Sequence, residues 1–219
     1  MWSEARRAAI AFFFPNRCPF CDGLIGAPEY YCIECAELIK RIDGEITPSE
    51  GVSEIFACCE YTGRARDAVM RMKEGGYAYS AETLGMMMAE NIGAKIRGYD
   101  ALVPVPSSFG SVLRRGYAPA EEISREISKR SGVRIRRPLY AAAAKDEQKC
   151  LSTRERILNA GDSFTLAKCR SVRGMRLLLV DDIRTTGATL SACALLLRRA
   201  GAAEVGAAVF AVSPFDENA

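Results

Sequence analysis

The stretch Leu177–Leu190, LLLVDDIRTTGATL, places an apolar run, two adjacent carboxylates, a hydroxyl-rich turn and a helix start in immediate succession. Leu177, Leu178, Leu179 and Val180 form an unbroken apolar segment, which suits a parallel strand covered on both faces. The segment stops at Asp181 and Asp182. Two neighbouring carboxylates repel each other and are costly to bury, so the pair is expected at the C-terminal edge of the strand, where open α/β sheets take their ligands. Thr185, Thr186, Gly187 and Thr189 then supply hydroxyls, a permissive backbone and N–H groups leading into a helix, which together make a phosphate cradle.

Moving outward, a second strand-to-turn unit appears at Ala101–Val105, ALVPV, followed by Pro106, Ser107, Ser108, Phe109 and Gly110. Pro104 is awkward inside a central strand, so the strand is expected to end there. Arg114, Arg115 and Gly116 follow, and Glu121–Lys129 reads as a polar helix with Ile123 and Ile127 four apart. Upstream, IFACCEY (Ile55–Tyr61) reads as a strand, and GRARDAVMRM (Gly63–Met72) as a helix ended by Lys73, Glu74 and two glycines. Lys73 there either reaches a phosphate or complements the helix dipole. Leu84–Ile96 is a further helical stretch, and the consecutive Met86, Met87 and Met88 imply burial all round it. A helix striped by Leu190, Ala194 and Leu197 and a last strand, Val205–Val212, complete the pattern. The fold class is therefore α/β, a mainly parallel sheet flanked by helices, with two anion-binding turns brought to one edge. Between the two units, Ser152–Ile157 starts as a capped helix, with Ser152 as N-cap and Glu155 as its capping-box partner. That charged segment is either a lid or an inert surface loop.

Composition bounds the function. The chain of 219 residues is 49% hydrophobic, enough for one substantial core and a small appendage. Residues 1–100 carry 11 Lys/Arg against 15 Asp/Glu, whereas residues 101–219 carry 19 against 12. The half with the phosphate turn is thus electropositive, which suits an anionic ligand, whether phosphorylated metabolite or nucleic acid. There is no histidine, so the usual imidazole base is excluded and cysteine becomes the natural metal ligand. The apolar stretch Ala8–Phe14, in an amphipathic segment stopped by Pro15, is too short to span a membrane and lacks a cleavage signal. A cytoplasmic, reducing setting is expected.

In that setting the nine cysteines mean metal or chemistry more often than disulfides. Cys18 and Cys21 form CPFC, and Cys32 and Cys35 form CIEC ten residues later. Two such pairs can wrap four thiolates around one structural zinc ion, each pair making a tight knuckle. A redox role needs only one pair, opening a helix in a thioredoxin-like unit. The expected organisation is an N-terminal helix and four-cysteine zinc module over residues 1–50, followed by the α/β domain over 51–219.

LLLVDDIRTTGAT closely resembles the phosphoribosyl pyrophosphate (PRPP) motif of type I phosphoribosyltransferases. The wider order is similar to the ComF family of competence-associated, phosphoribosyltransferase-like proteins: the four-cysteine front end, YTGRARDAVMRMKEGG, VPVP, RRGY, QKCLSTRERILN and the DD/TTG loop. The resemblance implies that Asp181 and Asp182 engage the ribose hydroxyls and serve as the catalytic pair. It implies that Arg184, Thr185, Thr186, Gly187, Ala188 and Thr189 hold the 5-phosphate. Pro104, Val105, Pro106, Ser107 and Ser108 would form the pyrophosphate loop, with Mg²⁺ bridging ligand oxygens. Lys73, Arg115, Gln148, Arg156 and Asn159 fall at lid or auxiliary positions. The chain departs from the family at Ala118 and Pro119, where an Asn-Gln pair is usual, and at Arg184, where the loop is often apolar. The implied activity is Mg²⁺-dependent phosphoribosyl transfer to an unidentified acceptor in DNA uptake. The alternatives are a single-stranded DNA-binding component, using Arg114, Arg115 and Arg154, or a PRPP sensor. A competence helicase is the partner the resemblance implies.

Overall fold

The computed structural model describes residues 16–26, 29–42, 46–74, 78–142, 164–167 and 171–214. The helices expected over residues 1–14 and from Ser152 lie outside them. The strands are β1 (Ile55–Glu60), β2 (Ala101–Pro104), β3 (Leu139–Ala141), β4 (Phe164–Leu166), β5 (Arg176–Arg184) and β6 (Glu204–Val212). The helices are α1 (Ile33–Leu38), α2 (Gly63–Glu74), α3 (Ala78–Ile92), α4 (Phe109–Arg115), α5 (Pro119–Ser131) and α6 (Ala188–Arg199). Four strands form one parallel sheet in the order β1-β6-β5-β2, and β3 pairs antiparallel with β4 as a separate ribbon.

Alternation along β5 divides the core into two layers. Leu178 and Val180 face Met72, Leu84, Ile123 and Ile127, contributed by α2, α3 and α5. Leu177 and Leu179 face Leu190, Cys193 and Leu197 of α6, with Leu139 and Phe164 of the ribbon beside them. All four residues of the apolar run are fully buried, as a strand covered on both faces requires. The cysteine segment shares the first layer: Cys18, Phe20, Cys35 and Ile39 belong to the same buried cluster as Leu178 and Phe210. Phe20 meets Tyr31 edge-on at 5.7 Å and tilts against Phe210 of β6 at 6.3 Å between ring centroids.

Several boundaries differ from expectation, each for a local reason. β5 runs on past Val180 to Arg184, because β6 continues to pair with it from Asp181↔Val209 to Arg184↔Val212. Hydrophobicity marks coverage of the faces, whereas pairing is an edge property that it does not register. The turn expected over 106–110 is shorter than that, since α4 begins at Phe109, with the Ser108 hydroxyl accepting from the Ser111 N–H. α2 extends through Lys73 and Glu74. The helix expected over Leu84–Ile96 begins earlier, at Ala78, and tightens into a 3₁₀ segment, Gly93–Gly98.

Pro104 does close β2, and its chemistry agrees with the place of β2 at the sheet edge. Val105 N–H donates to Val180, whereas Leu102 bonds outward, donating to Arg134 and accepting from Arg136. Even-numbered positions of this strand therefore point away from β5. Pro104 and Pro106 fall on that outward side, where a missing N–H costs the sheet nothing.

α3 is held between the sheet and α5, which explains why Met86, Met87 and Met88 are all buried. The two helices meet at Gly85, where an added Cβ would lie 2.8 Å from Glu126 Cβ and 2.9 Å from the Ile123 carbonyl oxygen. Neither atom is the end of a flexible side chain. Gly85→Ala should therefore lose stability, by about 1–2 kcal/mol once overpacking is set against the gain in helix propensity. Urea denaturation checks this, with a lowered midpoint at unchanged slope as the expected result.

Candidate functional site

The site is built where β2 leaves β5. The bond from Val105 N–H to the Val180 carbonyl, 2.9 Å, is the last between them. From Asp181 onward β5 is paired with β6 on one side, and among the described residues no strand pairs with its other side. The Asp182 N–H, which points to the side β2 has vacated, is taken by Asp181 Oδ1 at 2.9 Å, and the Ile183 N–H by Asp182 Oδ1 at 2.8 Å. Each carboxylate thus satisfies the backbone donor of the residue that follows it.

Strand alternation sends the two acids to opposite faces. Asp182 continues the face of Leu178 and Val180, is 5% exposed, and pairs with Lys73 Nζ of α2 at 2.9 Å. Of the two roles open to Lys73 from sequence, neither was this one: it neutralises a buried carboxylate. Asp181 continues the face of Leu177 and Leu179, toward α6. Burial first, and then the charge of Asp181, push the Cys193 thiol of α6 upward. Desolvation, followed by the charge of Asp182, raises the Asp181 carboxyl well above the usual carboxylate range, against the opposing pull of the Asp182 N–H and Lys73.

The turn after β5 supplies the second half of the site. Gly187 has φ +81°, and a Cβ there would lie 2.3 Å from Ser49 Oγ, so both conformation and space demand glycine. The Thr186 hydroxyl accepts from the Ala188 N–H at 3.3 Å. Gly187 is the N-cap of α6, and Thr185, Thr186, Ala188 and Thr189 are exposed around the helix start, so N–H groups and hydroxyls face outward together. Arg184, for which a phosphate contact and a solvent position were both open, is 6% exposed, and burial lowers its guanidinium. Ser49 against Gly187 was missed from sequence, because the loop before β1 is joined to this turn only by the fold.

On the β2 side, Val105 is buried, Pro106 and Ser107 are half-buried and Ser108 is exposed as it caps α4. Arg115 Nε donates to the Ser111 carbonyl of its own helix at 3.2 Å. Tyr117 is half-buried, with its hydroxyl donating to the Met72 carbonyl. Gln148, Arg154, Arg156 and Asn159 lie outside the described residues.

A second candidate site lies on the sheet's first face. The Sγ atoms of Cys18, Cys21, Cys32 and Cys35 all fall within 4.8 Å of one another, with Cys21 and Cys32 sulfurs 3.7 Å apart. Four thiolates placed tetrahedrally at zinc's bond length sit about 3.8 Å apart, so the cage fits such an ion. Its first pair is a knuckle: Asp22 N–H donates to the Cys18 carbonyl at 2.8 Å, Cys18 N–H to the Gly23 carbonyl at 2.8 Å, and Gly23 N–H to Cys21 Sγ at 3.4 Å. Cys32 is the N-cap of α1, which carries Cys35. Burial is the largest influence raising the Cys35 thiol, a cost that ligation of a metal would remove.

Among the described residues, no helix is long and apolar enough to cross a membrane. Residues 109–218 match the phosphoribosyl transferase domain family. The chain is 32% identical over 194 residues to competence protein F of Haemophilus influenzae, covering 85% of this chain and 82% of that protein. It is 29% identical over 208 residues to competence protein ComFC of Bacillus subtilis, covering 83% and 84% respectively. Among solved structures, glutamine PRPP amidotransferase from B. subtilis superposes with a TM-score of 0.44 at 20% identity, over 59% of this chain and 25% of that one.

A protonation test follows from Asp181. An acid whose pKa is raised on folding binds its proton more tightly in the folded state, so stability falls as pH rises from the ordinary carboxylate range through the raised value. Asp181→Asn, which keeps an acceptor for the Asp182 N–H, should unfold at a higher temperature than the parent at pH 7. That advantage should vanish as the pH is lowered toward 4, the usual range for an aspartate (about 3.9). Thermal melts across pH check it, and an advantage that grows in acid would contradict the assignment.

Proposed function

Because the chain belongs to the ComF family and carries its phosphoribosyl transferase domain, we propose that it binds PRPP with Mg²⁺ and transfers the phosphoribosyl group to a nitrogen nucleophile, in association with DNA uptake. The observation that carries this reading is the four-residue overhang of β5 beyond β2, with Asp181 and Asp182 on it, the Gly187 turn following its end and the loop after Pro104 leaving β2 where the overhang begins. The exposed N–H groups and hydroxyls of Thr185, Thr186, Ala188 and Thr189 take the 5-phosphate, with Gly187 allowing close approach and Arg184 setting the turn from beneath. Asp181 and Asp182 accept hydrogen bonds from the ribose hydroxyls, since carboxylates suit a diol and would repel a phosphate. Pro104, Val105, Pro106, Ser107 and Ser108 receive the pyrophosphate.

In the transfer, the bond from the anomeric carbon to the pyrophosphate oxygen breaks and a bond to the nucleophile's nitrogen forms. Pyrophosphate leaves with the electron pair, and positive charge builds on the ribose ring in between. Two carboxylates beneath that ring stabilise the charge, and the fixed turns hold both phosphates so that little reorganisation is needed. No imidazole base is required for this. Mg²⁺, a hard cation suited to carboxylate and phosphate oxygens, would be held with the ligand at Asp181 and Asp182 and neutralise the departing pyrophosphate. The segment containing Gln148, Arg156 and Asn159 is the proposed lid. The competence names of the relatives support a role in competence, and DNA uptake with a helicase partner is what the family resemblance implies.

Calorimetric titration with PRPP and Mg²⁺ tests the reading. Binding in the micromolar range is expected, weakened at least tenfold by Asp181→Ala or by Gly187→Val, and no heat at millimolar ligand would overturn it. Release of pyrophosphate on adding a nucleophile separates an enzyme from a PRPP sensor.

We assign the four-cysteine cage to zinc. Anaerobically purified protein should hold about one zinc ion per chain, and Cys18→Ser or Cys32→Ser should lose it. Elemental analysis is the check. Because the cage is part of the first core layer, the melting temperature should fall with the metal, by roughly the margin that loss of a structural ion implies for a small unit.

A further inference from the structure

Three consecutive residues at the end of α2 each hold a different part of the molecule. Arg71 Nη1 donates to the Pro19 carbonyl at 3.2 Å and the Phe20 carbonyl at 2.7 Å, both inside the first cysteine knuckle. The Met72 carbonyl accepts from the Tyr117 hydroxyl, and the Met72 side chain is fully buried. Lys73 Nζ lies 2.9 Å from Asp182 Oδ2. Farther along the cysteine segment, just before its second pair, Thr83 of α3 donates to the Tyr30 carbonyl at 3.2 Å and Arg130 of α5 lies over the Tyr30 ring at 5.6 Å. The segment is thus tied to α3 and α5 as well as to α2, so it does not simply follow α2 if α2 moves.

We propose that the last turn of α2 couples metal occupancy of the four-cysteine cage to ligand binding at the Asp181–Asp182 site, with Arg71 as a positioning residue that acts through Lys73. The metal fixes the carbonyls of Pro19 and Phe20 between two ligands of one knuckle. Those carbonyls hold the Arg71 guanidinium, and the helix end that Arg71 anchors holds the Lys73 ammonium on Asp182. Without the metal, the carbonyl pair has no fixed position and the ammonium loses its aim, so the carboxylate is no longer presented in one orientation. By linkage the effect is reciprocal: disturbing the Lys73–Asp182 pair weakens the cage's hold on the metal. The distance between the two sites is bridged by a single rigid helix turn with hydrogen bonds at both ends, which is a physical connection and not mere proximity.

This inference rests on the zinc and PRPP assignments, and its test separates it from them. Zinc affinity is measured by chelator competition on the full-length protein, for the parent, Asp182→Asn, Arg71→Met and the double variant. Asp182→Asn is expected to weaken zinc about fivefold or more, although it touches no cysteine. In the Arg71→Met background the same change should have no further effect. Arg71→Lys, able to reach one carbonyl, should restore part of the dependence. Calorimetry with PRPP and Mg²⁺ is then run on zinc-loaded and zinc-stripped parent, and the stripped protein should bind at least fivefold more weakly while keeping a cooperative melt. Equal zinc affinity in the parent and Asp182→Asn, or an undiminished effect of Asp182→Asn in the Arg71→Met background, overturns the coupling. If the zinc-loaded parent shows no PRPP binding, the proposed ligand is wrong, and the zinc-affinity cycle alone decides the coupling.

Discussion

Strand β5 stays paired to β6 as far as Arg184 while β2 leaves it at Val180, and everything at the candidate site depends on that mismatch. A strand with one open edge offers backbone donors that must be satisfied. Here each acid takes the N–H of the residue after it, Asp181 Oδ1 that of Asp182 and Asp182 Oδ1 that of Ile183. The result is a pair of carboxylates held at the strand end by main-chain bonds and not by long side chains.

The cost of that arrangement is electrostatic. Adjacent acids on a strand end repel, and the fold relieves them unequally. Asp182 receives Lys73 from α2 in a largely buried ion pair, whereas Asp181, on the side of α6 and Cys193, accepts from the Asp182 N–H and feels Lys73 only as the weaker of its opposing influences. Two residues that look equivalent in sequence therefore differ in character: one is held as a paired carboxylate, and the other retains a raised proton affinity that a hydroxyl-rich ligand or a cation would relieve.

Much of this was legible in the chain. The Leu177–Val180 run announced a strand covered on both faces, and the DD/TTG sequence after it announced an acidic strand end and a glycine turn into a helix. CPFC and CIEC announced the cysteine cage. What stayed hidden has a common cause, since each missed feature is a contact between segments far apart in the chain. Lys73 looked like a helix-end cation because nothing local connects it to Asp182, 109 positions later in the numbering. Ser49 meets Gly187 only because the loop before β1 crosses the start of α6. The Tyr117 hydroxyl bonds the carbonyl of Met72, which belongs to a helix 45 positions earlier. Local pattern records propensity and burial, and long-range polar pairing leaves no periodic trace.

The same consideration changes how the cysteine segment should be regarded. In sequence it is a front end, separated from the PRPP-like motif by more than half the chain. In the fold, Phe20 from the middle of its first knuckle is fully buried between Tyr31 and Phe210, the latter on the strand next to β5. A module that only recruited a partner would need no side chain in the sheet's own core and no arginine holding its knuckle carbonyls. Both are present, and both converge on the helix that carries Lys73. The cysteine segment is therefore better regarded as part of the sheet's first core layer than as an attachment to its outside. Its metal would stabilise the face of the sheet on which Asp182 is held, so the composition of the front end and the geometry of the acidic pair are constrained together.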